Sequence, residues 1–300
     1  MKNNFRNFIA NVAATFACTR TSRRRIRDKI KFGRLVDSIG VRDFEVEKYH
    51  KKINIAFCFN GQGCELAAVS ISSLLQSSGG ACDYNIYCVV DKSVSVQQRQ
   101  RISGIVRGAG STCRHLAANH DFDKSFLLNW PIAIYYRMML PKLLPDLDKV
   151  IYADIDTIFC RDLVEASRIN MGRNILAGVK DYPNGYINSG FLVMNLKQIR
   201  AEGLYEKWLY YSQRKKYKNP DQDLLNYTTR GRIVFLPLKY NFQPMMGSWI
   251  HKAHNDREIS NLRHHLVVLH FSNWMKPWHA PERRPIFSEI WWRFADKITP

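Results

Sequence analysis

From Ile53 onward the chain alternates short, almost uninterrupted apolar runs with longer stretches in which apolar residues recur every three or four positions. Ile53 to Phe59, Tyr84 to Val90, Lys149 to Ala153, Ile175 to Val179 and Gly190 to Asn195 are of the first kind and predict strands. Cys64 to Gln76, Val94 to Val106, Ile134 to Leu144 and Leu204 to Tyr217 are of the second kind and predict helices. A further strand is predicted over Leu266 to Leu269. Strands separated by helices at this rhythm predict an α/β fold with a mostly parallel sheet flanked by helices. Ligands of such sheets gather at the carboxyl ends of the strands, so polar residues that follow an apolar run are the first candidates for function.

Composition narrows the picture. The 300 residues are 46% hydrophobic and 12% aromatic, enough for a large core and unlike a disordered chain. No Pro/Ser-rich linker follows residue 50, so one large domain over residues 51–279 is predicted, between a basic segment over 1–50 and a basic, aromatic tail over 280–300. The formal charge of +19 is concentrated at the start, where residues 1–52 hold 14 Lys or Arg against 5 Asp or Glu. Such a field attracts polyanions, an anionic membrane or a phosphorylated acceptor among them. No RNA-binding signature or zinc-finger spacing occurs there, so no specific nucleic-acid partner is expected. Phe8 to Cys18 is too short to cross a bilayer, is broken by Asn11 and Thr15, and runs into Arg23, Arg24, Arg25, Arg27, Lys29 and Lys31. That pattern predicts either an amphipathic helix lying on a membrane face or a solvated one. In the tail, Arg283, Arg284, Trp291, Trp292 and Arg293 fit either a membrane interface or a packed terminal helix with Trp291 inside. The seven cysteines, Cys18, Cys58, Cys64, Cys82, Cys88, Cys113 and Cys160, include no CxxC pair; they fit a reducing cytoplasm and imply no cysteine metal site.

The most informative stretch is Val150-Ile151-Tyr152-Ala153-Asp154-Ile155-Asp156, a hydrophobic strand that runs straight into two acids one residue apart. In an extended backbone one of them would face inward, and a naked buried carboxylate is costly. A hard divalent ion, completed by phosphate oxygens, would satisfy both charge and geometry.

Tyr152-Ala153-Asp154-Ile155-Asp156 resembles the Asp-x-Asp motif of glycosyltransferase family 8, retaining enzymes of the GT-A fold that include bacterial lipopolysaccharide galactosyl- and glucosyltransferases. The resemblance runs from about Ile53 to Trp278 and takes in Tyr136-Arg137 before Leu140-Pro141, Gly190 with Met194-Asn195-Leu196, Asp221-Gln222-Asp223, and His270 with Lys276-Pro277-Trp278. It implies a Rossmann-like, mixed but mostly parallel sheet. It also implies manganese, with magnesium as the alternative, held by Asp154, Asp156 and His270. The chemistry agrees, since a neutral imidazole can complete an oxygen-rich manganese site.

The same resemblance assigns Lys276 to the leaving diphosphate and Arg137 to the donor sugar region, and Asp181, Asn188, Asp221 and Gln222 to the sugar hydroxyls or the reacting carbon. Gln222, Asp221 and Lys276 are thus the expected catalytic residues, with Cys58, Asn60, Gln62 and Ile155 completing the nucleotide-sugar site. Gln222 would stabilise developing charge, since an amide is a poor nucleophile, and Asp221 after Asn219-Pro220 also fits a helix N-cap. The implied partners are a UDP-hexose donor and a saccharide acceptor such as lipopolysaccharide core, met at the cytoplasmic face of the inner membrane. Two departures stand out. Asn60 and Gly63 occupy the places of an aspartate and of a tyrosine that stacks on uracil, and Asn273-Trp274 replaces a glycine-proline pair. The first leaves open an alternative, a catalytically silent nucleotide-sugar-binding protein of the same fold.

Overall fold

The computed structural model describes residues 49–181, 185–244, 253–280 and 287–298. The basic amino-terminal segment, Cys18, Arg283 and Arg284 lie outside the described residues. In chain order the elements are β1 (Tyr49–Phe59), α1 (Cys64–Ser77), β2 (Cys82–Val90), α2 (Val96–Gly108) and β3 (Thr112–Ala117). A 3-10 run over Ile132–Met139 passes into α3 (Leu140–Leu143), β4 (Lys149–Ala153), β5 (Thr157–Phe159) and α4 (Val164–Ser167). Then come β6 (Leu176–Asp181), β7 (Tyr186–Asn195), α5 (Leu196–Ala201), α6 (Leu204–Ser212) and α7 (Pro220–Thr228). The chain closes with β8 (Ile233–Leu236), α8 (Asp256–His265), β9 (Val268–His270) and α9 (Ser288–Ile298).

Seven strands form one sheet in the order β3-β2-β1-β4-β7-β6-β8, and β5 pairs with β9 in a separate two-stranded sheet. The large sheet is mixed and mostly parallel, as expected: β7 runs antiparallel to both of its neighbours, and the other four pairings are parallel. Both faces are buried. Ile53, Ile55, Phe57 and Phe59 of β1 enter one apolar cluster while Ala56 and Cys58 enter the other, and Phe191 and Val193 of β7 oppose Leu192 and Met194 in the same way. Burial on both sides is why these strands read as continuous apolar runs rather than as alternation.

Two predicted helices are shorter than expected. Continuous α-helix through Ile134 to Leu144 is blocked by Pro141, which has no N–H and whose ring would meet the Arg137 carbonyl. The chain tightens instead, and Arg137 O accepts from the Leu140 N–H, one residue closer than in an α-helix. The helix from Leu204 stops at Ser212 rather than Tyr217, because Phe126 N–H takes the Ser212 carbonyl (2.9 Å) out of the helical ladder and the Ser212 hydroxyl meets that of Ser125 at 2.7 Å. At the other end of the chain α9 packs against α1, with Trp291 buried and Trp292 Nε1 donating to the Pro277 carbonyl at 3.0 Å. Of the two expectations for the tail, this is the packed terminal helix. No helix among the described residues is long and apolar enough to cross a membrane.

Candidate active site

The acids do not continue the strand. After Ala153 the chain turns through Asp154-Ile155-Asp156 and extends again as β5. Asp154 N–H donates to the Gly190 carbonyl (2.9 Å), Thr157 Oγ1 donates to the Asp154 carbonyl (2.7 Å), and Phe271 N–H donates to the Asp156 carbonyl (3.0 Å). The backbone is not extended here as the sequence reading supposed; it turns, and both side chains line one cleft. The pairing of β5 with β9 places Thr157 opposite His270 and so delivers the imidazole beside Asp156. His270 Nε2 lies 3.1 Å from Asp156 Oδ1 and 3.8 Å from Asp154 Oδ2. These three side chains, predicted from residues far apart in sequence, converge within 4.8 Å of one another.

A hydrogen-bond chain fixes which nitrogen of His270 carries the proton. Gly190 N–H donates to Asn188 Oδ1 (2.9 Å), which identifies that atom as oxygen, and Asn241 Nδ2 donates to the same atom at 2.8 Å. Asn241 Oδ1 is therefore an acceptor, and His270 Nδ1–H donates to it at 2.8 Å. In the neutral ring Nε2 is then a lone pair facing two carboxylates, which is unfavourable unless a proton or a cation sits between them. Lys276 Nζ supplies part of the compensation, 2.6 Å from Asp156 Oδ2 and 2.6 Å from the Phe271 carbonyl. Burial alone would raise the Asp156 pKa, but Lys276 and His270 outweigh it and hold the carboxyl well below the usual range. Gly190 makes room for the ring: a Cβ there would lie 2.6 Å from His270 Nδ1.

The second half of the site is built on Arg137, which is 3% exposed rather than on the outer face of a helix. Its guanidinium donates to the Ile134 carbonyl (3.0 Å), the Ser189 carbonyl (2.7 Å) and Asp154 Oδ1 (2.8 Å), and pairs with Asp221 Oδ2 at 3.2 Å. It also lies over the ring of Tyr152, 4.3 Å from the centroid. Desolvation opposes its charge, but Asp154 and Asp221 hold the guanidinium pKa above its ordinary value. Asp221 is pushed up by burial, against the pull of Arg137. Asp221 does not cap its helix: Asn219 is the N-cap and Pro220 the first helical residue, while the Asp221 carboxylate accepts from Ser189 Oγ at 2.9 Å.

Gln222 is oriented as firmly. Its Oε1 accepts from the Ser189 N–H and from Asn188 Nδ2, each at 3.0 Å, so Nε2 faces Asp181 Oδ2 at 3.4 Å. Cys58, Asn60, Arg137, Asp154, Ile155, Asp156, Asp181, Asn188, Asp221, Gln222, His270 and Lys276 all line one cleft of about 580 Å³. Gln62 does not; it is exposed on the 3-10 turn Gly61–Gly63, outside the cleft lining. Asn60 Oδ1 caps that turn by accepting the Gly63 N–H (3.2 Å), a commitment that the sequence expectation of a base contact did not include. At Gly63 a Cβ would fall 2.7 Å from Ile155 Cδ1, so the space for a larger residue is already filled by the middle residue of the acidic motif. The residues that sequence reasoning missed are Asn241, Ser189 and Tyr152, whose hydroxyl donates to Asp154 Oδ1 at 2.5 Å. Of these, Tyr152, which opens the acidic motif, and Ser189, between Asn188 and Gly190, carried a signal, and Asn241 did not.

A mixed, mostly parallel sheet with an Asp-x-Asp turn after β4, met by a histidine from the small sheet, is the layout of a GT-A α/β domain. The chain belongs to glycosyl transferase family 8, whose family model matches residues 54–282. A Haemophilus influenzae relative is 25% identical over 255 residues, covering 76% of this chain and 73% of its own. Lipopolysaccharide 1,2-glucosyltransferase of Escherichia coli strain K12 is 27% identical over 169 residues, 50% of either chain, so this chain spans about half the length of that relative. Among solved structures, the galactosyltransferase LgtC in complex with donor and acceptor sugar analogues superposes with a TM-score of 0.68 at 22% identity, covering 83% of this chain and 97% of that one. The glycosyltransferase GlyE of Streptococcus pneumoniae superposes with a TM-score of 0.65 at 20% identity, covering 81% of this chain and 61% of that one. These likenesses establish the GT-A fold.

Proposed function

We propose that the chain is a metal-dependent retaining hexosyltransferase that moves glucose or galactose from a UDP-linked donor to a saccharide acceptor such as lipopolysaccharide core. The observation that carries the proposal is the convergence of Asp154, Asp156 and His270, with Nε2 of the imidazole turned toward two carboxylates. That donor set fits a divalent ion, manganese or alternatively magnesium, which would neutralise the diphosphate as a Lewis acid.

The chain's own residues divide the remaining work. Lys276, held at the rim of the acidic turn by Asp156 and the Phe271 carbonyl, donates to the departing phosphate as the bond from the sugar's anomeric carbon to phosphate oxygen breaks. Asp181, Asn188 and Asp221 hydrogen-bond the sugar hydroxyls. Gln222, its carbonyl pinned by the Ser189 N–H, holds its amide near the reacting carbon and stabilises charge there. The acceptor oxygen forms its bond on the face that the phosphate leaves, and its proton passes to the phosphate oxygen. The family membership and the lipopolysaccharide enzymes among the relatives support an acceptor of that class, met at the cytoplasmic face of the membrane.

The test is manganese-dependent hydrolysis and transfer with UDP-glucose and UDP-galactose. Asp154→Ala and Asp156→Ala are expected to abolish both activities; full turnover in either variant defeats the metal assignment. Calorimetric binding of a UDP-hexose by the wild-type protein, with no hydrolysis and no transfer to any acceptor, would instead favour the silent binding protein.

A further inference from the structure

The parallel pairing of β2 with β3 aligns Cys88 with His115 and Ile86 with Cys113. Cys113 and His115, two residues apart on one strand, share a face of the sheet, and Cys88 lies on the same face of its neighbour. We propose that these three side chains form a second metal site, for a soft divalent ion such as zinc.

The geometry is that of a ligand set. One donor atom from each residue lies within 4.8 Å of the others, and Cys113 Sγ is 3.7 Å from His115 Nε2. Zinc bonds of about 2.3 Å to sulfur and about 2.0 to 2.1 Å to nitrogen, spread at the tetrahedral angle, put the two ligand atoms about 3.6 Å apart. The imidazole is not satisfied by the protein alone. Nε2 lies 3.1 Å from both Ser103 Oγ and the Arg99 carbonyl of α2, whereas the buried Nδ1 has no hydrogen-bond partner. Nε2 is the nitrogen beside the Cys113 thiol, so a metal bond there would take the place of its contacts with Ser103 and Arg99. Cys88 is fully buried while Cys113 and His115 are half-buried, so the cluster has a closed inner end and an open outer one. The fourth position of a tetrahedral ion would face that opening and take water.

Ligand chemistry separates this cluster from the active site. Two thiols and an imidazole select zinc-like ions, whereas two carboxylates and an imidazole accept manganese or magnesium. None of the three lines the active-site cleft, and the inference does not depend on the proposed transfer activity. Cysteine spacing concealed the cluster, because its two thiols sit on different strands.

Cobalt(II) titration of the full-length, chelator-stripped, reduced protein tests the proposal. The expected result is a thiolate-to-cobalt absorption band in the near ultraviolet that saturates at one equivalent. It should vanish in Cys113→Ser and His115→Gln, and persist in Asp156→Ala. Cys113 is the informative thiol because it is half-buried, and circular dichroism of each variant establishes that it folds. Absence of the band in the wild-type protein overturns the proposal, as does a band unchanged in folded Cys113→Ser. A Cys88–Cys113 disulfide that forms in air, in protein that showed no band when reduced, would overturn it in favour of a redox pair.

Discussion

Gly190→Ala isolates the supporting geometry of the proposed metal centre, because it changes none of the three ligands. The added Cβ would run into His270 Cε1 and lie 2.6 Å from Nδ1, against the 3.4 Å at which ordinary contact begins, so the ring must retreat by well over about 0.8 Å. Yielding is difficult on both sides. The Gly190 carbonyl is held by the Asp154 N–H and its own N–H by Asn188, while His270 is anchored to Asn241 through a 2.8 Å hydrogen bond and by its place in β9. Overpacking of this kind costs about 1 to 3 kcal/mol. The functional loss should be larger than the loss of stability suggests, since disturbing the partners that orient a ligand lowers metal affinity by about 10- to 100-fold. Manganese binding followed by electron paramagnetic resonance, with hydrolysis of the donor measured across a manganese titration, reads both quantities. The expected outcome is an apparent manganese constant raised at least about tenfold, with a modest fall in melting temperature. A folded Gly190→Ala protein with the wild-type manganese constant would refute the reasoning.

Arg137→Met leaves Asp154 and Asp221 without their shared buried cation, and breaking a buried pair by removing one partner costs about 3 to 5 kcal/mol. Urea unfolding should register that loss, and a change below about 1 kcal/mol would contradict the bracket role. Asn241→Ala removes the acceptor that fixes the His270 tautomer, and manganese affinity should fall by about 10- to 100-fold while the far-ultraviolet circular dichroism stays unchanged. His254 is pushed below its ordinary 6.5 by burial, with its Nε2–H donating to the Lys180 carbonyl at 2.9 Å. Below pH 6.5 the unfolded chain therefore binds a proton that the folded chain refuses, and stability falls as pH falls through that range. His254→Gln should flatten that limb of the stability profile, which thermal unfolding at a series of pH values would record.

The five inner strands of the large sheet were legible because they are buried on both faces, whereas the half-exposed edge strands β3 and β8 were not predicted. Each of β1, β4 and β7 presents an unbroken apolar run that only a fully covered strand would carry. Of the small sheet, β9 was anticipated by the run Leu266 to Leu269, but β5 was not, since three residues are too few to show a period. The acidic motif was found by its place after β4, but its turn was not, since the bonds that fold it come from Gly190 and Phe271. His270 was found because it ends an apolar run, whereas Asn241, buried and equally necessary to the ring's orientation, sits in a stretch with no pattern at all. The 3-10 run at Arg137 could have been anticipated from Pro141. Its consequence, a guanidinium turned inward to bracket two carboxylates, required the tertiary structure.

The pairing of β5 with β9 also sets the order in which the protein becomes competent. A growing chain carries both aspartates long before it carries the imidazole, because synthesis runs from the amino end and Thr157 must wait for its partner strand. Closing so long a loop is entropically slow, and it comes after the local contacts of the large sheet. A nascent or partly opened molecule can therefore be well folded through its parallel core and still offer a cation two carboxylates alone. On the proposed chemistry, such a molecule leaves activated sugar untouched until the last ligand has docked.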